Sequence, residues 1–360
     1  ASVVLLAVTS APIMAGGGAK KRRTHIGPII GSHLIGLPCA LFVMAVVVFL
    51  SLRYGSLQVS WLTAWEAIFD YDSSDQKQVV VRELRVPRMF LGLAAGSSLA
   101  VAGALVQGVT RNPLAGPGIL GINQGAAFAV VTAIFVADIV SPAGYVWFAF
   151  IGATVAAVLV YTVAHFGSGG PTPIKLVLSG VIVMALLGSW TSALLLLDLE
   201  TFDEARFWLA GSISGRGTEE LRFLFPFVIV ALIVGVLMGK QVNVLNLGED
   251  MAASMGQRTN QVRILAGLIV IILSGSAVAI AGPIAFIGLA VPHMVRSLVG
   301  PDYRWILLYC VILGPSLLLG SDIVGRLIVR PTELQVGIVT AAVGAPFLIY
   351  LVRFTKISEI

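Results

Sequence analysis

Long stretches without a single formal charge constrain this chain more than any motif does. Ile30–Leu52, Met89–Val109 and Ala143–Ala164 contain no Asp, Glu, Lys or Arg, and each is long enough to cross the ~30 Å hydrocarbon layer of a bilayer as a helix. Only 11% of the 360 residues are charged, 58% are hydrophobic, and the mean hydropathy is +0.97; soluble domains carry about 25% charged residues. Inside lipid every backbone polar group has to be bonded within the protein, which leaves helices or a closed barrel. Barrel strands alternate apolar and polar residues, and these runs are continuous. The sequence predicts an all-α, polytopic membrane protein.

Ten segments qualify as spans: Ile30–Leu52, Met89–Val109, Ile119–Ala137, Ala143–Ala164, Ile174–Leu197, Leu221–Gly239, Val262–Ala281, Pro283–Leu298, Trp305–Gly320 and Leu334–Leu351. The eighth and ninth are short, and an eight-span reading is the rival. Lys20, Lys21, Arg22 and Arg23 precede the first span and orient the N-terminus to the cytoplasm; ten spans return the C-terminus to the same side. Residues 1–28 read as a cytoplasmic tail and 29–356 as one transmembrane domain. The net charge of +5 comes from residues flanking spans, so no nucleic-acid partner is expected; the surrounding partner is membrane lipid.

Gly/Pro-dense breaks interrupt the apolar pattern at Asn112-Pro113-Leu114-Ala115-Gly116-Pro117, Ala281-Gly282-Pro283 and Val291-Pro292-His293. Proline removes a helix donor and restricts the residue before it, and broken helices in membranes are tolerated where they are buried or line a path. The first two breaks share a Gly-Pro, which reads either as a trace of a repeated half or as coincidence. Gln241–Gln261 forms a soluble loop. Its centre, Leu247–Gly256, suits a short helix with acids in its first turn and glycine at its end. Gly248, Ala252, Ala253 and Gly256 leave room for a partner's backbone; an ordinary surface helix is the alternative.

Arg85 and Arg88 bracket Val86-Pro87 before the second span. A rigid turn holding two guanidiniums outward suits capture of carboxylates on a partner, with interfacial snorkelling as the other reading. Arg326 and Arg330 fall near the same surface. Gln107, Asn112, Asn123 and Gln124 either line a pore or bond between helices. Small residues crowd Met89–Val109, the mark of close helix packing.

Catalytic patterns are missing. His25, His33, His165 and His293 are scattered, and His293 beside Pro292 reads as an interfacial histidine or a proton relay. Cys39 and Cys310 lack metal-ligand neighbours, and no metal site is expected. Gly235–Gln241 mimics a P-loop but is one residue short and lacks its Ser/Thr. No carboxylate pair lies mid-span, which disfavours an ion-coupled secondary carrier; Asp322 is the nearest candidate, at a predicted outer end.

Taken together, several stretches resemble the permease family of importers for ferric siderophores, haem and cobalamin. They are Arg85-Val86-Pro87-Arg88; Arg111-Asn112-Pro113-Leu114-Ala115-Gly116-Pro117-Gly118-Ile119-Leu120-Gly121; Leu247-Gly248-Glu249 with Ala252 and Gly256; Gly282-Pro283-Ile284-Ala285-Phe286-Ile287-Gly288-Leu289 with Pro292-His293; and Gly344-Ala345-Pro346. Arg206–Ser212 and Val299–Trp305 narrow the likeness to ferric-enterobactin-type permeases. The resemblance implies a type II ATP-binding-cassette importer permease of ten spans in the bacterial inner membrane. It implies a second permease subunit, with a heterodimer favoured, two cytoplasmic ATPases that use ATP and magnesium, and an extracytoplasmic substrate-binding protein. The implied cargo is a ferric siderophore, catecholate-type favoured, with haem or cobalamin as alternatives, and this chain itself binds no cofactor. By the same resemblance Gly248, Glu249, Ala252, Ala253 and Gly256 couple to the ATPase. Arg85, Arg88 and Arg326 meet the binding protein, Asn112 and Leu114 form a cytoplasmic gate, and the loop Gly167–Pro173 adds a constriction. The chain departs from the family at Leu334-Gln335-Val336-Gly337, where Leu-Pro is common, and in the extension before Ile26.

Overall fold

The computed structural model describes residues 29–139, 141–166, 173–215, 218–330 and 332–354. The expected N-terminal tail and most of the Gly167–Pro173 loop lie outside the described residues. Everything assigned a regular structure among the described residues is helical.

The first helix, α1 (Ile29–Arg53), leads through α2 (Trp61–Phe69) to α3 (Gln76–Val79). A π-helical turn over Val80–Arg85 feeds directly into α4 (Val86–Thr110), with Pro87 in its first turn, where its missing N–H costs no bond. A 3₁₀ turn, Pro117–Leu120, precedes α5 (Ile122–Ala137); α6 (Pro142–His165), α7 (Pro173–Leu197) and α8 (Leu199–Leu209) follow. Next come α9 (Thr218–Leu237), α10 (Gly239–Asn246), α11 (Glu249–Ser254) and α12 (Thr259–Ala281), then α13 (Ile287–Val299), α14 (Tyr303–Ile328) and α15 (Val336–Phe354).

Each of the ten apolar segments contains a helix. Among the described residues six are long and apolar enough to cross a membrane, α9 and α10 add a seventh if the pair, bent by 47°, is one span, and α5, α13 and α15 are shorter apolar helices. One boundary in the sequence reading is corrected. The ninth segment is not short: α14 continues past Gly320 through Asp322 and Arg326 to Ile328. The apolar pattern ends at Asp322, but the helix does not, because that carboxylate is neutralised inside the bundle.

The bundle is organised around α4, 89% of whose apolar window is buried against 17% for α1 and 22% for α7. Lipid tails are as apolar as the helices they bathe, so association depends on close packing. The small residues of α4 supply it. A Cβ on Gly96 would sit 2.6 Å from Pro315 Cα of α14, and one on Gly103 would collide with the Gly288 carbonyl of α13. Around α4 stand α9, α12, α13 and α14, with α1 outside α14 and the α5–α7 group outside α12.

Three chain breaks are stitched together beside it. Ser212 N donates to Ala281 O at 2.8 Å and Gly337 N donates to Gly211 O at 3.0 Å. The motif Arg206–Ser212 thus runs between the Gly282 break and the start of α15. Gly337, within the Leu334–Gly337 departure, packs against the Ala210 carbonyl, where a side chain has no room.

Candidate functional site

Two clusters of polar residues lie at opposite ends of α4. At its C-terminal end, α10 lies across the bundle. Asn246 Nδ2 donates to Gly108 O of α4 at 3.2 Å. Asn243 Oδ1 accepts from Tyr303 N at 2.8 Å, and its Nδ2 donates to Asp302 Oδ1 at 2.6 Å. Asp302 also caps α14 and binds Arg304, whose guanidinium, with help from Asn243, holds the carboxyl down at about 2. The Gly-Pro-Asp-Tyr-Arg motif therefore anchors the helix that precedes the Leu247–Gly256 loop, which forms a protruding knuckle.

The chain then turns at Gly248, whose φ of 110° favours glycine, into α11, with Glu249 and Asp250 in its first turn and Gly256 (φ +79°) just beyond its end. Of the five residues assigned to this loop, Ala252 is fully buried while Glu249, Ala253 and Gly256 face out. Leu247, Met251 and Met255 project as exposed apolar side chains. Ala252 is therefore a packing residue beneath the knuckle, and Met251 and Met255, which the motif did not single out, join Leu247, Glu249, Ala253 and Gly256 on the protruding surface.

Glu249 is tied inward at two points. Its Oε1 bonds Arg263 in the first turns of α12 and lies 3.6 Å from Arg111 Nη2. The Arg263 hydrogen bond, more than the charge of Arg111, holds the Glu249 carboxyl below its usual range. Arg111 occupies the left-handed region (φ 51°), uncommon for a residue with a Cβ, and begins the turn that carries Asn112. Asn112 Oδ1 accepts from Leu114 N at 2.9 Å and its carbonyl accepts from Ala115 N at 3.1 Å. Asn112 and Leu114 stand exposed on this turn. The knuckle and the proline-broken turn, 138 residues apart by Arg111 and Glu249 numbering, thus share one carboxylate.

Behind the turn, Gln107 is buried and bridges helices: its Nε2 donates to Leu289 O and its Oε1 accepts from Arg296, each at 3.2 Å. Of its two sequence readings, the interhelical one holds. Pro117 of the first Gly-Pro break packs against α13, since a Cβ on Gly288 would lie 2.9 Å from Pro117 Cδ. His293 stacks edge-on to Phe347 at 6.2 Å.

The N-terminal end of α4 holds Arg85, Arg88 and Arg326. The expectation of outward guanidiniums needs correction: all three turn inward, and the Arg88 side chain is 12% exposed. Arg85 is 5% exposed and Arg326 2%. Arg85 donates to the carbonyls of Leu52, Arg53 and Leu57, and Arg326 to those of Ser51 and Tyr54. The end of a helix leaves carbonyls without partners, and these two side chains satisfy them for α1. Arg88 forks onto Asp322 (Nη2 to Oδ1, 2.6 Å) and reaches Glu333 (Nη1 to Oε2, 2.6 Å), while Arg326 binds Asp322 Oδ2 at 2.8 Å. Asp322 is completely buried. A cavity of about 500 Å³ opens beside the cluster, lined by all three arginines, Glu83, Glu333 and Ser214.

A close-packed helical bundle with a charged clasp at one end and a small knuckle tied to a broken turn at the other is built as a membrane permease. The chain belongs to the FecCD transport family, which matches residues 43–354. It is 41% identical over 322 residues to the probable siderophore transport system permease protein YfiZ of Bacillus subtilis, covering 89% of this chain and 96% of that one. It is 40% identical to the ferric enterobactin transport system permease protein FepD of Escherichia coli, covering 91% and 97%. It is 38% identical to the cobalamin import system permease protein BtuC of Halobacterium salinarum, covering 82% and 79%. A solved inward-facing metal-chelate type ABC transporter chain superposes with a TM-score of 0.78 at 27% identity, over 89% of this chain and all of that one.

Proposed function

We propose that this chain is the permease subunit of an ATP-binding-cassette importer that carries a ferric siderophore into the cytoplasm. The single observation that carries the reading is the shared carboxylate of Glu249, which ties an exposed knuckle to the Asn112–Leu114 turn. A knuckle that protrudes small and apolar side chains while bonded to a gate-like turn can take up a motor's motion and pass it inward. The assembly would include two ATPases using ATP and magnesium, a second permease subunit, and an extracytoplasmic binding protein received at the Arg88 end. Relatives named for siderophore, ferric citrate, ferric enterobactin and hydroxamate transport are about equally similar, at 39–41% identity. They support a ferric chelate in general; the catecholate preference rests on the enterobactin relative. Asp322, the deepest ionisable group near the clasp, is fully paired by Arg88 and Arg326, which favours an external energy source over a proton relay.

The test is uptake of radioactive ferric siderophore into vesicles holding the purified assembly. Uptake should require ATP and survive a protonophore. Uptake indifferent to ATP removal would reject the reading.

A further inference from the structure

The charged groups at the Arg88 end are not equally committed. Arg85 and Arg326 are buried and donate to carbonyls at the end of α1 and just beyond it, and Arg326 also pairs with Asp322. Asp322 is 1% exposed at its side chain and held by two guanidiniums. Glu333 differs in each respect. Its side chain is 27% exposed, it touches the cluster through Arg88 Nη1, and it sits in the non-helical link between α14 and α15. It also faces the 500 Å³ cavity. Glu83 lines that cavity too but forms no salt bridge to the arginines. Arg326 is a further lining residue, and its Nε is buried without a hydrogen-bond partner.

We propose that Glu333 occupies, in the free subunit, the place that an acidic side chain of a docking protein takes on Arg88, so that docking proceeds by exchange of one carboxylate for another. The inference rests on the reading of this end as the docking surface and narrows it to one atom, Arg88 Nη1. Exchange keeps the guanidinium paired at every stage, whereas stripping it bare would leave a part-buried charge uncompensated. Asp322 keeps Arg88 aimed throughout, because the fork through Nε and Nη2 does not involve Nη1. Ser214 Oγ, 3.1 Å from Nη1, is a neutral partner that remains during the swap. Once released, Glu333 no longer pins the link to α4. What then holds the link near α14 is the bond from Leu334 N to Gly325 O at 3.1 Å, and α15 begins at Val336. Arrival of a partner at Arg88 is thereby communicated to the last helix.

The experiment uses the assembled transporter in nanodiscs and the substrate-binding protein that co-purifies with it. Docking affinity is measured for the wild type, Glu333→Gln and Arg88→Gln, with amide hydrogen exchange over 332–337 read in parallel. Removing a part-exposed competing ion pair should tighten docking about two- to five-fold in Glu333→Gln. Exchange over 332–337 should rise on docking in the wild type and be already raised in Glu333→Gln. Unchanged or weakened docking of Glu333→Gln, with Arg88→Gln weakened, overturns the exchange and leaves the docking surface standing. An Arg88→Gln variant that docks normally overturns the docking surface, and the exchange falls with it.

Discussion

Arg88 and Asp322 lie 234 positions apart in the chain, yet Arg88 Nη2 donates to Asp322 Oδ1 at 2.6 Å and its Nε contacts both carboxylate oxygens. This pair fastens the first turn of α4 to the last turns of α14, and Arg326 completes it from the other side. Removing one partner of a buried ion pair costs about 3–5 kcal/mol, because the remaining charge is stranded. Asp322→Asn is expected to lower thermal stability by that order, measured as the unfolding midpoint of the purified assembly. Asp322→Glu should recover part of the loss. A midpoint unmoved in Asp322→Asn would deny the pair its structural role.

Glu249→Gln removes the charge that Arg111 and Arg263 share while keeping an amide that bonds to either. Glu249→Arg reverses it. ATP-driven uptake is expected to fall in the order wild type, Gln, Arg, with insertion and ATPase association retained. A double variant, Arg111→Glu with Glu249→Arg, should regain part of the uptake lost in Glu249→Arg. Equal turnover in all variants would dissociate the knuckle from the Asn112–Leu114 turn.

Gly103 has no room for a Cβ beside the Gly288 carbonyl. Gly103→Val should push α13 off α4 and abolish stable folding, since overpacking costs roughly 1–3 kcal/mol even where neighbours can yield and a backbone carbonyl cannot. Gly267, which has nothing within 4 Å of its added Cβ, is the control: Gly267→Ala should express and fold normally. Expression yield and monodispersity in detergent distinguish the two.

Asp302 offers a pH test. Its folded value of about 2 lies below the ordinary 3.8, chiefly through the Arg304 hydrogen bond. A depressed carboxyl contributes stability in full above its unfolded value and loses it as the pH drops through the folded one. Loss of an N-cap costs about 1 kcal/mol. Asp302→Ala should therefore unfold earlier than the wild type by a constant margin from pH 7 to about 4, and the margin should shrink towards pH 2 to 3. A margin that widens on acidification would refute the assignment.

The architecture was legible in the sequence because lipid imposes a length and a polarity on every crossing element. All ten apolar segments hold helices, and the knuckle at Leu247–Gly256 was foreshadowed by its paired acids and terminal glycine. Legibility failed where charge is buried. Asp322 and Arg326 looked like the end of a span, since a linear pattern does not reveal that Arg88 waits across the bundle. Arg85 looked outward because the carbonyls it caps belong to a helix 32 residues earlier. Arg111 and Arg263 were invisible as partners of Glu249 for the same reason: spacing along the chain carries no record of a contact made through the fold. Gln107 was readable only as two alternatives, and packing decides between them.

α4 runs unbroken for 25 residues, about 37 Å at 1.5 Å per residue, from the Arg88 clasp to the turn that carries Asn112. Its neighbours leave it no slack, so it behaves as a strut and not as a spring. The joints lie around it: the bend after Leu237, Phe286 with its φ of +70° ahead of α13, and the non-helical link at 332–335. Whatever displacement the two ends of the molecule exchange must be rotated about those joints, with the central rod as their common axle.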